Sequence, residues 1–114
     1  MGRKKSRPRP TTPYIPGLID SHCHLDYAPM SDDLEAALTR ARAAGVEQLV
    51  HIGCRLDAFD PALALARAHP TIFTAIGVHP HDASTADDHA LARLEALASE
   101  HRGDVVAIGE TGLD

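Results

Sequence analysis

Two histidines one residue apart, His22 and His24, close the first strand-like stretch of this sequence. The stretch begins apolar at Leu18 and Ile19, as a buried strand does, and side chains two residues apart on a strand lie on the same face. Two imidazoles side by side at the C-terminal end of a strand can form half of a metal site. A solvated or buried histidine pair without metal is the alternative for so short a motif.

Residues that could bind a metal ion also stand at or just after the third and fourth strand-like stretches of the chain. His79 and His81 lie at the end of the third stretch, which begins at residue 71, and Glu110 follows the fourth, at 105–108. In a parallel α/β sheet the C-terminal ends of the strands face one crevice, which is where active sites lie. The position of these residues at strand ends therefore predicts one shared site rather than a scatter of surface histidines.

The chemistry of this set is that of a hydrolytic metal centre. Imidazoles suit zinc, manganese or iron, and a carboxylate adds negative charge and can bridge two cations. Two cations can activate water and stabilise the attacking and leaving oxygens when a phosphodiester, ester or amide is cleaved. We predict that His22, His24 and Glu110 are metal ligands, with a surface or helix-capping acid as the alternative for Glu110.

The roles of His79 and His81 remain open at this point. Pro80 breaks the strand between them, so a shared orientation of the two rings is not assured. They could contact substrate, support the metal ligands through hydrogen bonds, or be ordinary loop residues. His51, inside the second strand, is predicted to be a hydrogen-bonded core histidine.

Alternating strands and helices are expected to position these residues. Strands are predicted over residues 18–25, 48–54, 71–79 and 105–108. Helices are predicted to begin at Ser31, at Asp57 or Asp60, and at Ser84 or Thr85, and to end near Gly45, His69 and Arg102. Near-continuous apolar strands joined by helices favour parallel pairing through right-handed crossovers. The predicted fold class is therefore α/β.

Charge divides the chain into two parts. Residues 1–17 hold five arginines or lysines, four prolines and no acid, and we predict that they form a disordered basic leader. A nucleic-acid tether is the alternative for this segment. The whole chain has a net charge of −5, so residues 18–114, predicted to form one domain, are clearly acidic. That balance argues against nucleic-acid binding by broad charge neutralisation and suits a cation pocket.

Cysteine usage indicates a reducing compartment. Cys23 and Cys54 are the only cysteines, and both lie in apolar runs, where a free cysteine behaves as a small hydrophobe. No signal peptide or transmembrane run is evident, so we predict a cytoplasmic protein without membrane contact.

Three phrases of the sequence resemble the TatD family of metal-dependent deoxyribonucleases: IDSHCHLD at 19–26, GVHPHD at 77–82 and IGETGLD at 108–114. Their order and spacing match, and the likeness covers the chain from about Leu18 onward. The resemblance implies a (β/α)₈ barrel, one or two divalent cations (Mg, Mn or Zn) and hydrolysis of phosphodiester bonds, with DNA as the expected substrate.

The resemblance also implies roles for single residues. His22 and His24 would hold the first metal ion, and Glu110 would bridge both ions and act in catalysis. His79 and His81 would contact substrate phosphate or support the ligands.

A barrel of eight units needs about four more β/α units than this chain has. In the family those units bring two further histidines and an aspartate. The chain is therefore expected to be the N-terminal half of a TIM-type barrel, truncated after the fourth strand and inactive by itself. The alternatives are a non-catalytic fragment that self-associates through open sheet edges, and a related amidohydrolase-like enzyme acting on an amide or ester.

Overall fold

The computed structural model describes residues 13–113. Strands and helices alternate along these residues: β1 (Leu18–Cys23), α1 (Leu34–Ala43), β2 (Val46–Gly53), α2 (Leu56–Ala68), β3 (Ile72–Ile76), α3 (Asp88–Glu100) and β4 (Val105–Ile108). Two 3₁₀ helices, Met30–Asp33 and Pro80–Thr85, precede α1 and α3. The strands form one four-stranded sheet in the order β1-β2-β3-β4 with parallel pairing throughout. The predicted α/β class is confirmed.

The first two helices begin elsewhere than predicted. The carboxylate of Asp33 caps α1 by accepting a hydrogen bond from the N–H of Ala36 at 3.0 Å, while Ser31, the predicted cap, lies in the preceding 3₁₀ helix. Helix α2 begins at Leu56, one residue before the earlier of its two predicted starts, and has no side-chain cap. Which of several neighbouring polar residues becomes the cap depends on where the preceding loop turns, and this cannot be read from residue type.

The start of α3 was also predicted too early. Ser84 and Thr85 belong to the second 3₁₀ helix, and the carboxylate of Asp87 caps α3 through the N–H of Ala90 at 2.8 Å. Strand β3 correspondingly ends at Ile76 and not at His79. The chain between β3 and α3 is therefore a longer irregular connection than the sequence suggested, and it carries both His79 and His81 past the end of the sheet.

Two clusters of buried side chains lie between the sheet and its helices. One joins α2 and α3 to β3 and β4 around Phe59, which is completely buried, and the other joins α1 and α2 to β2 and β3 around Leu49. Aliphatic and alanine side chains make up the rest of both clusters. Burial of this helix-facing side fixes the strands relative to one another and so fixes the positions of their C-terminal ends.

The two outer strands leave apolar side chains exposed. Ile19 on β1 is 60% exposed, and Val106 and Ile108 on β4 are each 50% exposed. Both strands pair on one side only within the sheet, so their outer backbone groups are available for further pairing.

The first part of the described chain lies against the turn after α1. The N–H of Ile15 donates to the carbonyl of Ala44 at 3.1 Å, and the N–H of Leu18 donates to the carbonyl of Gly45 at 3.0 Å. Residues 1–12 of the predicted leader lie outside the described residues. None of the helices within residues 13–113 has the length and apolar character that a membrane span requires.

Candidate metal centre

The C-terminal ends of three neighbouring strands are held together by backbone hydrogen bonds that continue beyond the regular sheet. The N–H of Gly77 donates to the carbonyl of Gly53, and the N–H of Gly109 donates to the carbonyl of Ile76, each at 3.0 Å. The N–H of His79 donates to the carbonyl of Cys54 at 2.9 Å. These bonds bring the residues after β2, β3 and β4 to one rim of the sheet.

At this rim the side chains of His22, His24 and Glu110 converge. One ligand atom from each of them lies within 4.8 Å of the other two. The Nε2 atom of His22 is 3.8 Å from the Oε2 atom of Glu110, and the imidazole rings of His22 and His24 meet edge to face with centroids 5.2 Å apart. The structure therefore brings together the three residues that the sequence suggested as metal ligands, although Glu110 is 86 residues from His24.

This arrangement fits a divalent cation. Ligand atoms about 2.1 Å from a metal ion lie at most about 4.2 Å from one another, so the three side chains need only a small adjustment to share one ion. Two neutral imidazoles and one carboxylate are donors that zinc and manganese accept. The side chain of His22 is 50% exposed and that of Glu110 is 34% exposed, so the centre is open to water and substrate.

Glu110 has a second partner that sequence reasoning missed. The thiol of Cys54, at the end of β2, donates a hydrogen bond to the Oε2 atom of Glu110 at 3.3 Å. Burial, followed by the hydrogen bond to Glu110, raises the pKa of the Cys54 thiol to about 11. The thiol is thus protonated at neutral pH and can hold the carboxylate as a donor.

A family model described as TatD related DNase matches residues 19–114. The chain belongs to the TatD family. Among its curated relatives, the 3'-5' ssDNA/RNA exonuclease TatD of Cronobacter turicensis is 44% identical over 97 residues, which are 85% of this chain and 36% of the relative. The metal-dependent hydrolase YjjV of Escherichia coli K12, described as uncharacterised, is 38% identical over 84% of this chain and 37% of its own length. The chain therefore spans little more than a third of the length of these relatives.

A solved structure agrees with this membership. The crystal structure of YJJV, a TatD homolog from Escherichia coli K12, is similar to this chain with a TM-score of 0.77 at 38% identity, over 84% of this chain and 37% of that one. The match confirms the prediction that the four parallel strands and the helices between them are the N-terminal part of a TIM-type barrel.

The TatD-family phrase GVHPHD contributes His79, His81 and Asp82 to the wall of a cavity of about 310 Å³, which His24 and Glu110 also line. His79 caps the second 3₁₀ helix, because its Nδ1 atom accepts a hydrogen bond from the N–H of His81 at 3.0 Å. The two imidazoles stack with centroids 5.0 Å apart. The cavity is lined by His24, Tyr27, Cys54, Arg55, His79, His81, Asp82 and Glu110. His79 and His81 thus face the candidate metal centre without belonging to the cluster of three.

His51 has the buried structural role that the sequence predicted. Its side chain is 3% exposed, and its Nδ1 atom accepts a hydrogen bond from the N–H of Leu25 at 3.1 Å. This bond holds the chain just after His24 against β2. Burial lowers the pKa of His51, the neighbouring His24 acts in the same direction, and the carboxylate of Asp26 opposes both.

Replacing His51 with phenylalanine is expected to lower the free energy of unfolding by about 1–3 kcal/mol, because the buried N–H of Leu25 loses its acceptor while ring volume is kept. It should also reduce the pH dependence of stability. The folded-state pKa of His51 lies below its unfolded value of 6.5, so its contribution is complete above pH 6.5 and is lost as the pH falls through the lower folded-state pKa. Urea unfolding at several pH values tests both effects. The surface histidine His89, replaced by phenylalanine, serves as the control, and equal effects at the two positions would contradict the prediction.

Replacing Cys54 with alanine is expected to weaken divalent-cation binding about ten-fold, because the carboxylate of Glu110 loses a donor that orients it. Cys54→Ser should recover most of the affinity, since a hydroxyl donates a similar hydrogen bond. Isothermal titration with Mn²⁺ measures both variants. An alanine variant that binds as tightly as the parent chain would show that the thiol does not position Glu110.

Proposed function

We propose that this chain carries the first metal-binding half of a nuclease that hydrolyses phosphodiester bonds of single-stranded nucleic acid. The observation that carries the proposal is the convergence of His22, His24 and Glu110 within 4.8 Å at one rim of the sheet. The name of the Cronobacter relative, a 3'-5' ssDNA/RNA exonuclease, supports the substrate class and the direction of cleavage.

His22 and His24 would hold the cation through ring nitrogens, and Glu110 would provide the negative charge that makes a divalent ion favourable there. A divalent cation in such a site lowers the pKa of bound water and stabilises negative charge on phosphate oxygens. A carboxylate has two oxygens, so Glu110 would be able to hold a second cation as well. The donor set favours zinc or manganese over magnesium, which prefers oxygen ligands.

His79 and His81 bind the substrate phosphate in this proposal. The Nδ1 atom of His79 accepts the N–H of His81, so in its neutral form His79 carries its proton on Nε2. That Nε2–H is a donor suited to a phosphate oxygen, and the ring lies in the wall of the same cavity as Glu110.

Metal binding and hydrolysis test the proposal separately. Mn²⁺ and Zn²⁺ titrations measure binding by the 114-residue chain, and release of nucleotides from a single-stranded oligonucleotide measures activity. For this chain alone we expect cation binding without turnover. A complete eight-stranded barrel that contains this chain is expected to hydrolyse the oligonucleotide and to lose this activity on His22→Ala. Hydrolysis of p-nitrophenyl acetate but of no phosphodiester would instead favour the related ester- or amide-cleaving enzyme.

The open sheet edges support a further proposal, namely that the isolated chain self-associates. Four parallel strands are half of the eight that close a barrel, and Ile19 on one edge and Ile108 on the other are exposed. Sedimentation at increasing concentration is expected to show dimers or larger species, and a monomer at high concentration would contradict this.

We also propose a cytoplasmic location. Cys23 and Cys54 are both free thiols, which supports a reducing compartment. Fractionation of cells expressing a tagged chain tests the location directly.

A further inference from the structure

Tyr27 lies beside the candidate metal centre and has no part in the roles described so far. It follows His24 by three residues, in the loop between β1 and the first 3₁₀ helix. Its side chain is 53% exposed. Tyrosine is rare in this chain, which has two tyrosines and no tryptophan. Exposed large rings are common on protein surfaces, so exposure alone does not indicate a function for Tyr27.

That position is held from two sides. The ring of Tyr27 is 5.6 Å from the ring of His24, centroid to centroid, and inclined to it by 38°. The carbonyl of Tyr27 accepts a hydrogen bond from the N–H of Ser31 at 3.0 Å, which closes the loop onto the start of the 3₁₀ helix. An aromatic ring that contacts a metal-ligand candidate and is half exposed offers a planar surface next to the centre.

The charges of the adjoining cavity decide what that surface can bind. The cavity contains the carboxylates of Asp82 and Glu110, which repel a phosphate group unless cations are bound. Among residues 13–113, the guanidinium that lines the wall is that of Arg55, and its Nε atom lies 3.3 Å from the Oδ1 atom of Asp57. A nucleobase carries no net charge, so its stacking on Tyr27 is not opposed by these acids.

We propose that Tyr27 stacks on an unpaired nucleobase and so places the adjoining phosphodiester at the metal centre. The proposal rests on the proposed nuclease function and names how its substrate is recognised. Base–aromatic stacking tolerates any base but requires an open face, which a base inside a duplex lacks. Tyr27 therefore selects single strands over duplexes with little dependence on sequence.

Binding of a fluorescein-labelled single-stranded oligonucleotide, measured by anisotropy with the 114-residue chain in the presence of Mn²⁺, tests the proposal. Tyr27→Ala is expected to weaken binding about ten-fold, while Tyr27→Phe stays within about two-fold of the parent chain because it keeps the ring. Tyr14→Ala is the matched control, since Tyr14 is 64% exposed and is not among the residues lining this cavity. A duplex of the same length should bind more weakly, and Tyr27→Ala should barely affect that binding.

Salt dependence separates stacking from phosphate binding. Tyr27→Ala should leave the slope of log Kd against log salt unchanged, whereas loss of a phosphate contact reduces it by about one. In the Tyr14→Phe variant, Tyr27 is the only tyrosine and the sequence has no tryptophan, so tyrosine fluorescence comes from Tyr27 alone. This emission should be quenched when an unlabelled oligonucleotide binds.

The proposal is overturned if Tyr27→Ala binds the oligonucleotide as tightly as the parent chain, if its salt slope falls, or if the parent chain binds no oligonucleotide. Titration of Mn²⁺ into the same preparations keeps the two proposals distinct. Normal cation binding together with any of these results rejects the stacking role alone, whereas absent cation binding rejects the metal centre.

Discussion

Replacing His24 with alanine is expected to weaken binding of Mn²⁺ or Zn²⁺ by about 100-fold or more. Loss of groups that only support a ligand already costs 10–100-fold, and His24 is one of the three side chains that converge on the site. The remaining two donors, His22 and Glu110, would hold a cation only weakly in a centre that is open to water. Isothermal titration calorimetry of the 114-residue chain and its variant measures the change.

A second histidine substitution serves as the control for a general effect of histidine loss on cation affinity. His89 lies exposed on α3, so His89→Ala should leave cation affinity within about two-fold of the parent chain. Glu110→Gln tests the third donor with little change in volume, and should reduce affinity by a similar factor because the charge is removed. Unchanged affinity in His24→Ala, with the fold retained by circular dichroism, would show that the cation does not bind at this rim.

Cation binding should also stabilise the chain, since the converging groups bind the ion only when folded. At a free cation concentration 100 times the dissociation constant, the gain is about 2.7 kcal/mol. His24→Ala should lose this gain while its stability without cation stays close to that of the parent chain. Thermal unfolding with and without Mn²⁺ therefore gives an independent measure of the same loss.

The parts of the fold that the sequence predicted are those determined by local pattern. Continuous apolar runs placed the strands, and β4 was predicted at its observed bounds, Val105–Ile108. Gly45 was expected to end the first helix, and its φ of +100° is the left-handed conformation that a glycine after a helix adopts. The predicted starts of α1 and α3 were wrong, because Asp33 and Asp87 are caps only by virtue of the 3₁₀ helices that precede them.

The residues of the candidate site also divide into those that the sequence predicted and those that only the folded structure brings together. His22, His24 and Glu110 could be grouped from sequence, because parallel strands present their C-terminal ends on one side of the sheet. The contact of Cys54 with Glu110 could not be predicted, since it joins residues 56 apart and depends on side-chain direction rather than on strand position. Tyr27 was missed for a related reason, because only the closed loop brings its ring against His24.

The contact between the ends of β3 and β4 gives the second large expected effect. A Cβ atom on Gly77 would lie 2.7 Å from both the carbonyl carbon and the carbonyl oxygen of Gly109, a distance that real Cβ contacts do not show. Those atoms are backbone and cannot rotate away, so Gly77→Ala must push the two strand ends apart. The hydrogen bond from the N–H of Gly109 to the carbonyl of Ile76 joins the same two strand ends, so it would be lengthened when they separate.

Gly77→Ala should therefore lower the free energy of unfolding by about 1–3 kcal/mol, as overpacked positions do. It should also weaken cation binding about ten-fold although no ligand is changed, because Glu110 directly follows Gly109 and moves with it. Urea unfolding and Mn²⁺ titration measure the two effects. Gly103→Ala is the control, since a Cβ at Gly103 meets no atom within 4 Å and should alter neither quantity by much. A Gly77→Ala chain that folds and binds Mn²⁺ with the parent affinity would mean that the spacing of these strand ends does not determine the position of Glu110.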